Sequence, residues 1–145
     1  KRFSRVGLAQ GLDGTSIEVE SREFRDAGSN SREYGLTVEV REAGNNARRS
    51  LIYVDYDEID PLLKGLEYVG KIDSSVTQLT RFEVDYITRG DLLISAFSAR
   101  GGVITLAISG GAFRRTTALF RLEDLKVIKG LIIEAKNQLD ALQQK

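Results

Sequence analysis

The stretch ARRSLIYVDYDEI, Ala47–Ile59, returns 66 residues later as FRRTTALFRLEDL, Phe113–Leu125. Arg48-Arg49 falls on Arg114-Arg115, Ser50 on Thr116, Asp57 on Glu123, Glu58 on Asp124 and Ile59 on Leu125. The apolar row Ile52, Val54, Tyr56 falls on Ala118, Phe120, Leu122. Dropping one residue near Asp60-Pro61 lays Lys64-Gly65-Leu66 over Lys129-Gly130-Leu131, and Ile17-Glu18-Val19-Glu20 lies over Phe82-Glu83-Val84-Asp85 at a shift of 65. The match is poorest where the loop at 26–31 meets the core of a strand. A period this long exceeds that of solenoid arrays and indicates two copies. The expected organisation is one domain, 1–145, with an internal repeat at 16–71 and 81–137 and an N-terminal arm at 1–15.

Each copy changes hydrophobic period once. Leu36, Val38 and Val40 alternate with Thr37, Glu39 and Arg41, which predicts a strand with one packed and one wet face. The same alternation covers Ile17–Arg22, Ile52–Tyr56, Phe82–Tyr86, Ile104–Ile108 and Ala118–Leu122, while Leu92–Ala99 is a more apolar strand. From Ile59 the apolar residues Leu62, Leu63, Leu66 and Val69 fall at helical spacing. Asp60-Pro61 reads as the helix start and Gly70 as its stop. A longer amphipathic helix follows from Leu125 through Leu142. Gly101-Gly102 and Gly110-Gly111 read as turns. The arm carries at most one short edge strand. The predicted class is therefore α+β, two tandem antiparallel sheet–helix units of three or four strands each, packed as one pseudo-twofold domain. One such unit buries too little surface to be stable alone.

This strand–strand–strand–strand–helix duplication resembles the Whirly family and the positive-cofactor type of transcriptional coactivator. The resemblance lies in topology and covers most of the chain, without a signature motif. It implies single-stranded DNA binding.

Composition narrows the chemistry. The 145 residues contain no Cys and no His, which removes thiol nucleophiles, thiolate and imidazole metal ligands, and the usual general base near neutral pH. Zinc and Ser-His-Asp chemistry are excluded by inventory; any catalysis would fall to carboxylates, Lys, Tyr or Ser, with a cation-dependent enzyme at Asp55–Asp60 as the least favoured reading, and neither an enzyme nor a cofactor is expected. Lys plus Arg and Asp plus Glu both number 21. That balance lacks the basic excess of a dedicated nucleic-acid binder. No apolar run approaches the length of a membrane-spanning helix. The chain starts at Lys1 and contains no Met, as expected of an exported protein whose signal peptide has been removed, or of an expression boundary.

Three groups of residues invite a functional reading. The ligand-binding candidates are Arg48, Arg49, Phe113, Arg114, Arg115 and Arg121, to which Arg22 and Arg41 could add. Cations with a flat aromatic face suit single-stranded nucleic acid; solvated strand ends that guard sheet edges are the simpler explanation. Asp55, Asp57, Glu58 and Asp60 could ligate a hard cation, but the calcium-loop spacing is missing and helix capping with first-turn charge suffices. Tyr34, Tyr53, Tyr56, Tyr68 and Tyr86 are expected in the core with the hydroxyl at its rim. The expected function is a non-enzymatic binding module whose partner is a protein or small ligand, with self-association as a further mode. Single-stranded nucleic acid is the alternative, and at physiological salt weak or no binding is expected unless the Arg pairs meet.

Overall fold

The computed structural model describes residues 2–44, 47–71, 82–98, 103–111 and 114–144. Strands β1 (Arg2–Gln10), β2 (Ser16–Arg25), β3 (Arg32–Arg41) and β4 (Arg49–Asp55) form one antiparallel sheet in sequential order, and helix α1 (Tyr56–Gly70) follows. Strands β5 (Glu83–Ile87), β6 (Leu93–Ser98), β7 (Ile104–Gly110) and β8 (Thr116–Arg121) form the second sheet in the same order. A short 3-10 turn, Leu122–Asp124, leads into α2 (Leu125–Gln143). The class is thus mixed α+β and mostly sheet. No helix among the described residues is long and apolar enough to cross a membrane.

The period-two rows become the inner faces. Val19, Val38 and Ile52 lie side by side across β2, β3 and β4, as do Ser21, Leu36 and Val54. In the second sheet Ile94, Ile108 and Ala118 align, followed by Ala96, Leu106 and Phe120. All of these are buried. Burying each large aliphatic side chain contributes about 1.5–3 kcal/mol.

The helices bury matching positions. Ile59, Leu62, Leu66 and Val69 are inside in α1, and Leu125, Ile128, Ile132 and Ala135 are inside in α2. Every pair is 66 residues apart, so no residue is dropped at Asp60-Pro61, and Gly65 falls level with Leu131, not with Gly130. The helices also cross between sheets. α1 packs on β5 as well as on β3 and β4, while α2 packs on β1 and β2. A Cβ on Gly65 would lie 2.6 Å from the Tyr86 ring, and one on Gly7 would lie 2.7 Å from Leu131 Cδ2. Ser21 Oγ lies 3.2 Å from the Ala135 carbonyl oxygen on α2. Each sheet therefore has apolar surface covered by the other half's helix.

Loops cross as well. The β1–β2 connection reaches the edge of β8, where the Leu12 N–H donates to the Leu119 carbonyl at 2.6 Å. Gly11 stands where a Cβ would come within 2.4 Å of that same oxygen, and Gly90 of the β5–β6 connection comes equally close to the Tyr53 carbonyl on β4. Only glycine permits either approach.

Several local expectations are corrected. Residues 2–10, read as a mostly polar arm, form a nine-residue edge strand with a register irregularity between Arg5 and Gly7. Its polar appearance is that of a strand paired on one side only. Tyr56 and Leu122 leave the strands and begin the helical turns. Helix α1 starts at Tyr56, five residues before Pro61, which lies inside it. Burial of Ile59 and ion pairing of Asp57 and Glu58 draw that first turn into the helix. Gly70 is the last helical residue and Lys71 caps it in a right-handed conformation. An added Cβ at Gly70 would lie 2.8 Å from the tip of Leu125, at Cδ2. Gly110 ends β7 and Gly111 turns at φ +118°. Gly101-Gly102 lie outside the described residues.

Candidate functional site

The strand entrances that carry the two Arg pairs meet. Ser50 in β4 and Thr116 in β8 share a hydrogen bond, Oγ to Oγ1, at 2.7 Å. Both residues sit on the inner side of their strands, Thr116 being fully enclosed. Arg48-Arg49 and Arg114-Arg115 immediately precede them, so the contact gathers four arginines at one end of the molecule. All four are exposed.

Their charge is only partly compensated. Arg115 pairs with Asp91 at 2.5 Å and also reaches Ser109 Oγ. Arg48, Arg49 and Arg114 have no acidic partner among the described residues. Glu42 is the other acid at this end, and its carboxylate accepts the Thr117 N–H at 2.9 Å. The Arg48 carbonyl accepts the Glu42 N–H at 3.0 Å, which ties the entrance of β4 to the exit of β3. Gly111 passes under the contact, since a Cβ there would lie 3.0 Å from Ser50 Oγ.

The other candidates go elsewhere. Arg121 is at the far end of β8, opposite Thr105, with Glu123 at 3.8 Å. Arg22 pairs with Glu20 at 2.9 Å, and its guanidinium carbon lies 5.2 Å from the centroid of the Phe3 ring. Arg41 is held by Glu18 at 3.3 Å and by Glu39, and the hydrogen bond it donates to Glu39 holds its guanidinium still more firmly protonated. Phe113 lies outside the described residues.

The acidic group is an anchor for another element. Asp57 and Glu58 stand in the first turn of α1, as expected, but Asp55, its N-cap, makes no side-chain cap bond. Instead Arg89, from the β5–β6 connection, bridges Asp55 at 3.7 Å, Asp57 at 2.6 Å and Glu58 at 2.9 Å. Glu58 is only 8% exposed and also accepts the Arg89 backbone N–H at 2.6 Å. These hydrogen bonds, Glu58 first, raise the Arg89 guanidinium pKa. Asp60 pairs separately with Lys136 of α2 at 3.0 Å. Among the described residues no group of three or more acidic side chains is arranged to hold a metal ion.

The tyrosines follow expectation in part. Tyr34, Tyr56 and Tyr86 pack at the rim of the core, and the Tyr56 hydroxyl donates to Asp140, which raises its pKa. Tyr53 packs edge-on against Phe24 on the outer face of the first sheet. Tyr68 is 66% exposed and belongs to no core.

Sequence reasoning missed Glu42, Asp91 and the Ser50–Thr116 contact. A signal existed: hydroxyl residues stand at matching points of two otherwise apolar rows, 66 residues apart. Family models, curated proteins and solved structures were each compared with the chain, and none matches it.

Proposed function

We propose that the chain is a non-enzymatic binding module that engages an anionic ligand at the end carrying Arg48, Arg49, Arg114 and Arg115. The observation that supports this is the Ser50–Thr116 hydrogen bond, which joins two arginine pairs distant in sequence. Three of those arginines have no acidic partner among the described residues. Exposed guanidinium groups without counter-ions are free to bind carboxylate or phosphate in bidentate fashion.

The packing of the two halves belongs to the same proposal. A pseudo-twofold axis through the Ser50–Thr116 contact accounts for the 66-residue offset of the buried helix positions. It also fits the paired approaches of the β1–β2 loop at Gly11 to Leu119 and the β5–β6 loop at Gly90 to Tyr53, where the carbonyl residues 53 and 119 keep the 66-residue offset and the two glycines do not. An axis there places the arginines symmetrically, and an extended ligand could cross it.

Single-stranded nucleic acid is the second reading. It rests on the meeting of the strand entrances that carry the Arg pairs and on the Whirly-like order of strands and helices. Its weakness is electrostatic, because most such affinity comes from phosphate neutralisation, and Arg22 and Arg41 of the first sheet are already paired. Fluorescence anisotropy decides. A labelled single-stranded oligonucleotide and a labelled acidic peptide are each titrated at two salt concentrations. Three phosphate contacts give a slope of log K against log salt of about −2 for a single strand. Loss of binding in the triple variant R48A/R49A/R114A supports the site. Failure of the wild type to bind either probe, or binding unchanged by the triple variant, sinks it.

A further inference from the structure

A cleft lies away from the arginine end, between β1, β2 and the last turns of α2. Its volume is about 380 Å³, at the small end of the range for small-molecule pockets, roughly 300–1,000 Å³. Phe3, Ala141 and Leu142 supply an apolar wall. Phe3 is 66% exposed, although its ring carries the Arg22 guanidinium over one face. Ser21 and Gln138 supply a polar spot at the base.

The charges around the cleft differ in how they are met. Arg22 is paired with Glu20 and also donates to Thr37 Oγ1 at 3.3 Å. Glu23 is buried and pairs with Arg32 at 3.7 Å. Arg2 has no acidic partner among the described residues. The uncompensated charge at this cleft is therefore positive. The base is acceptor-rich, so it does not hold a carboxylate head group, which is left to Arg2. Ser21 Oγ lies 3.2 Å from both the Ala135 carbonyl and Gln138 Oε1. One hydroxyl proton serves only one of these acceptors.

We propose that this cleft binds a small amphipathic carboxylate, with its head group on Arg2 and an apolar body of about six to ten carbons along Phe3, Ala141 and Leu142. The apolar wall disfavours a fully hydrated anion such as inorganic phosphate. The positive charge disfavours an amine of the same shape. The site is separate from the arginine end and does not depend on that reading.

Isothermal titration calorimetry with octanoate, octanol and octylamine, each below its micelle concentration, tests the proposal. Octanoate should bind, octanol about tenfold more weakly, and octylamine not measurably, since a charge-assisted hydrogen bond carries about that factor. Arg2→Gln, at an exposed position, should weaken octanoate about tenfold and leave octanol unchanged. Ala141→Phe, also exposed, should fill the cleft and abolish both. The variant R48Q/R49Q/R114Q should bind octanoate as the wild type does. Equal binding of octanoate and octanol, an unaffected Arg2→Gln variant, loss of binding in the R48Q/R49Q/R114Q variant, or no octanoate binding at all would overturn the assignment.

Discussion

The two sheets share a strand order and differ on their outer faces. On the first, charges stand in rows and cancel: Arg5 meets Glu18 at 3.4 Å, Arg22 meets Glu20, and Arg41 meets Glu18 and Glu39. On the second, the two central strands carry Leu93, Ser95, Phe97, Thr105, Ala107 and Ser109, with Glu83, Asp85 and Ile87 at the β5 edge and Thr117, Leu119 and Arg121 on β8. Ser95 donates to Asp85 at 2.6 Å. The inner faces carry apolar rows at matching positions. Inner positions answer to packing density, where a change of one methylene is felt. Outer positions answer to cross-strand neighbours and to solvent, so they vary with less effect on the fold. Neither outer face offers a concentrated unpaired charge, which leaves the arginine end as the electrostatic feature common to both halves.

The largest expected effect tests the likeness of the inner layers. Leu66→Asp and Ile128→Asp each put a charge into a site at most 1% exposed. Each should cost about 4 kcal/mol or more. Chemical denaturation should show the two losses to be similar; one variant stable and the other unfolded would break the equivalence of the halves.

A middle-sized effect separates two helix contacts. Gly65→Ala drives a Cβ against the Tyr86 ring, an overpacking cost of about 1–3 kcal/mol. Alanine returns about 1 kcal/mol of helix propensity. Gly65→Ala should therefore destabilise the wild type and stabilise a Tyr86→Ala background. Gly7→Ala meets only the tip of Leu131 and should cost less. A thermodynamic cycle without that change of sign would show that the ring is not the obstacle.

The outer face of the first sheet should reveal itself at high pH. Burial first, then the charges of Asp55 and Glu33, push the Tyr53 hydroxyl up to about 12. Its folded pKa thus exceeds its unfolded value near 10, so its contribution is intact below pH 10 and lost as pH rises toward 12. Tyr53→Phe should flatten the fall of stability over that window. Absorbance titration at the tyrosinate band should lose a late-titrating component in the same variant; an unchanged titration curve would contradict the assignment.

The smallest effect is at the surface. Lys129 reaches Glu67 at 2.7 Å between the helices, but both are solvated. Hydrogen bonding by Lys129 lowers the Glu67 pKa. Lys129→Ala should change the melting temperature by no more than an exposed ion pair warrants, about 0–1 kcal/mol. A large loss would mean that α1 and α2 are held together by charge as well as by their apolar faces.

Local sequence pattern is enough to specify most of the elements and their faces, the edge strand Arg2–Gln10 and the first turn of α1 being the exceptions. Period-two alternation at Leu36–Arg41 and helical spacing from Leu125 to Leu142 are local patterns. They report which side of an element is dry, because side-chain direction follows backbone geometry within a few residues. The 66-residue repeat also marked the Arg pairs before any fold was known. The tertiary structure alone decided what those elements touch. Asp57 and Glu58 looked like first-turn charge, and Arg89, about 30 residues away, claims them. Gly7, Gly11, Gly65 and Gly90 looked like ordinary chain glycines, and each admits a neighbour from the other half. Arg114 and Arg121 share a strand region, yet only Arg114 lies at the Ser50–Thr116 contact. Such choices are non-local. They depend on which distant surfaces fit at close-packed density, and a one-dimensional pattern records a residue's facing without recording its neighbour.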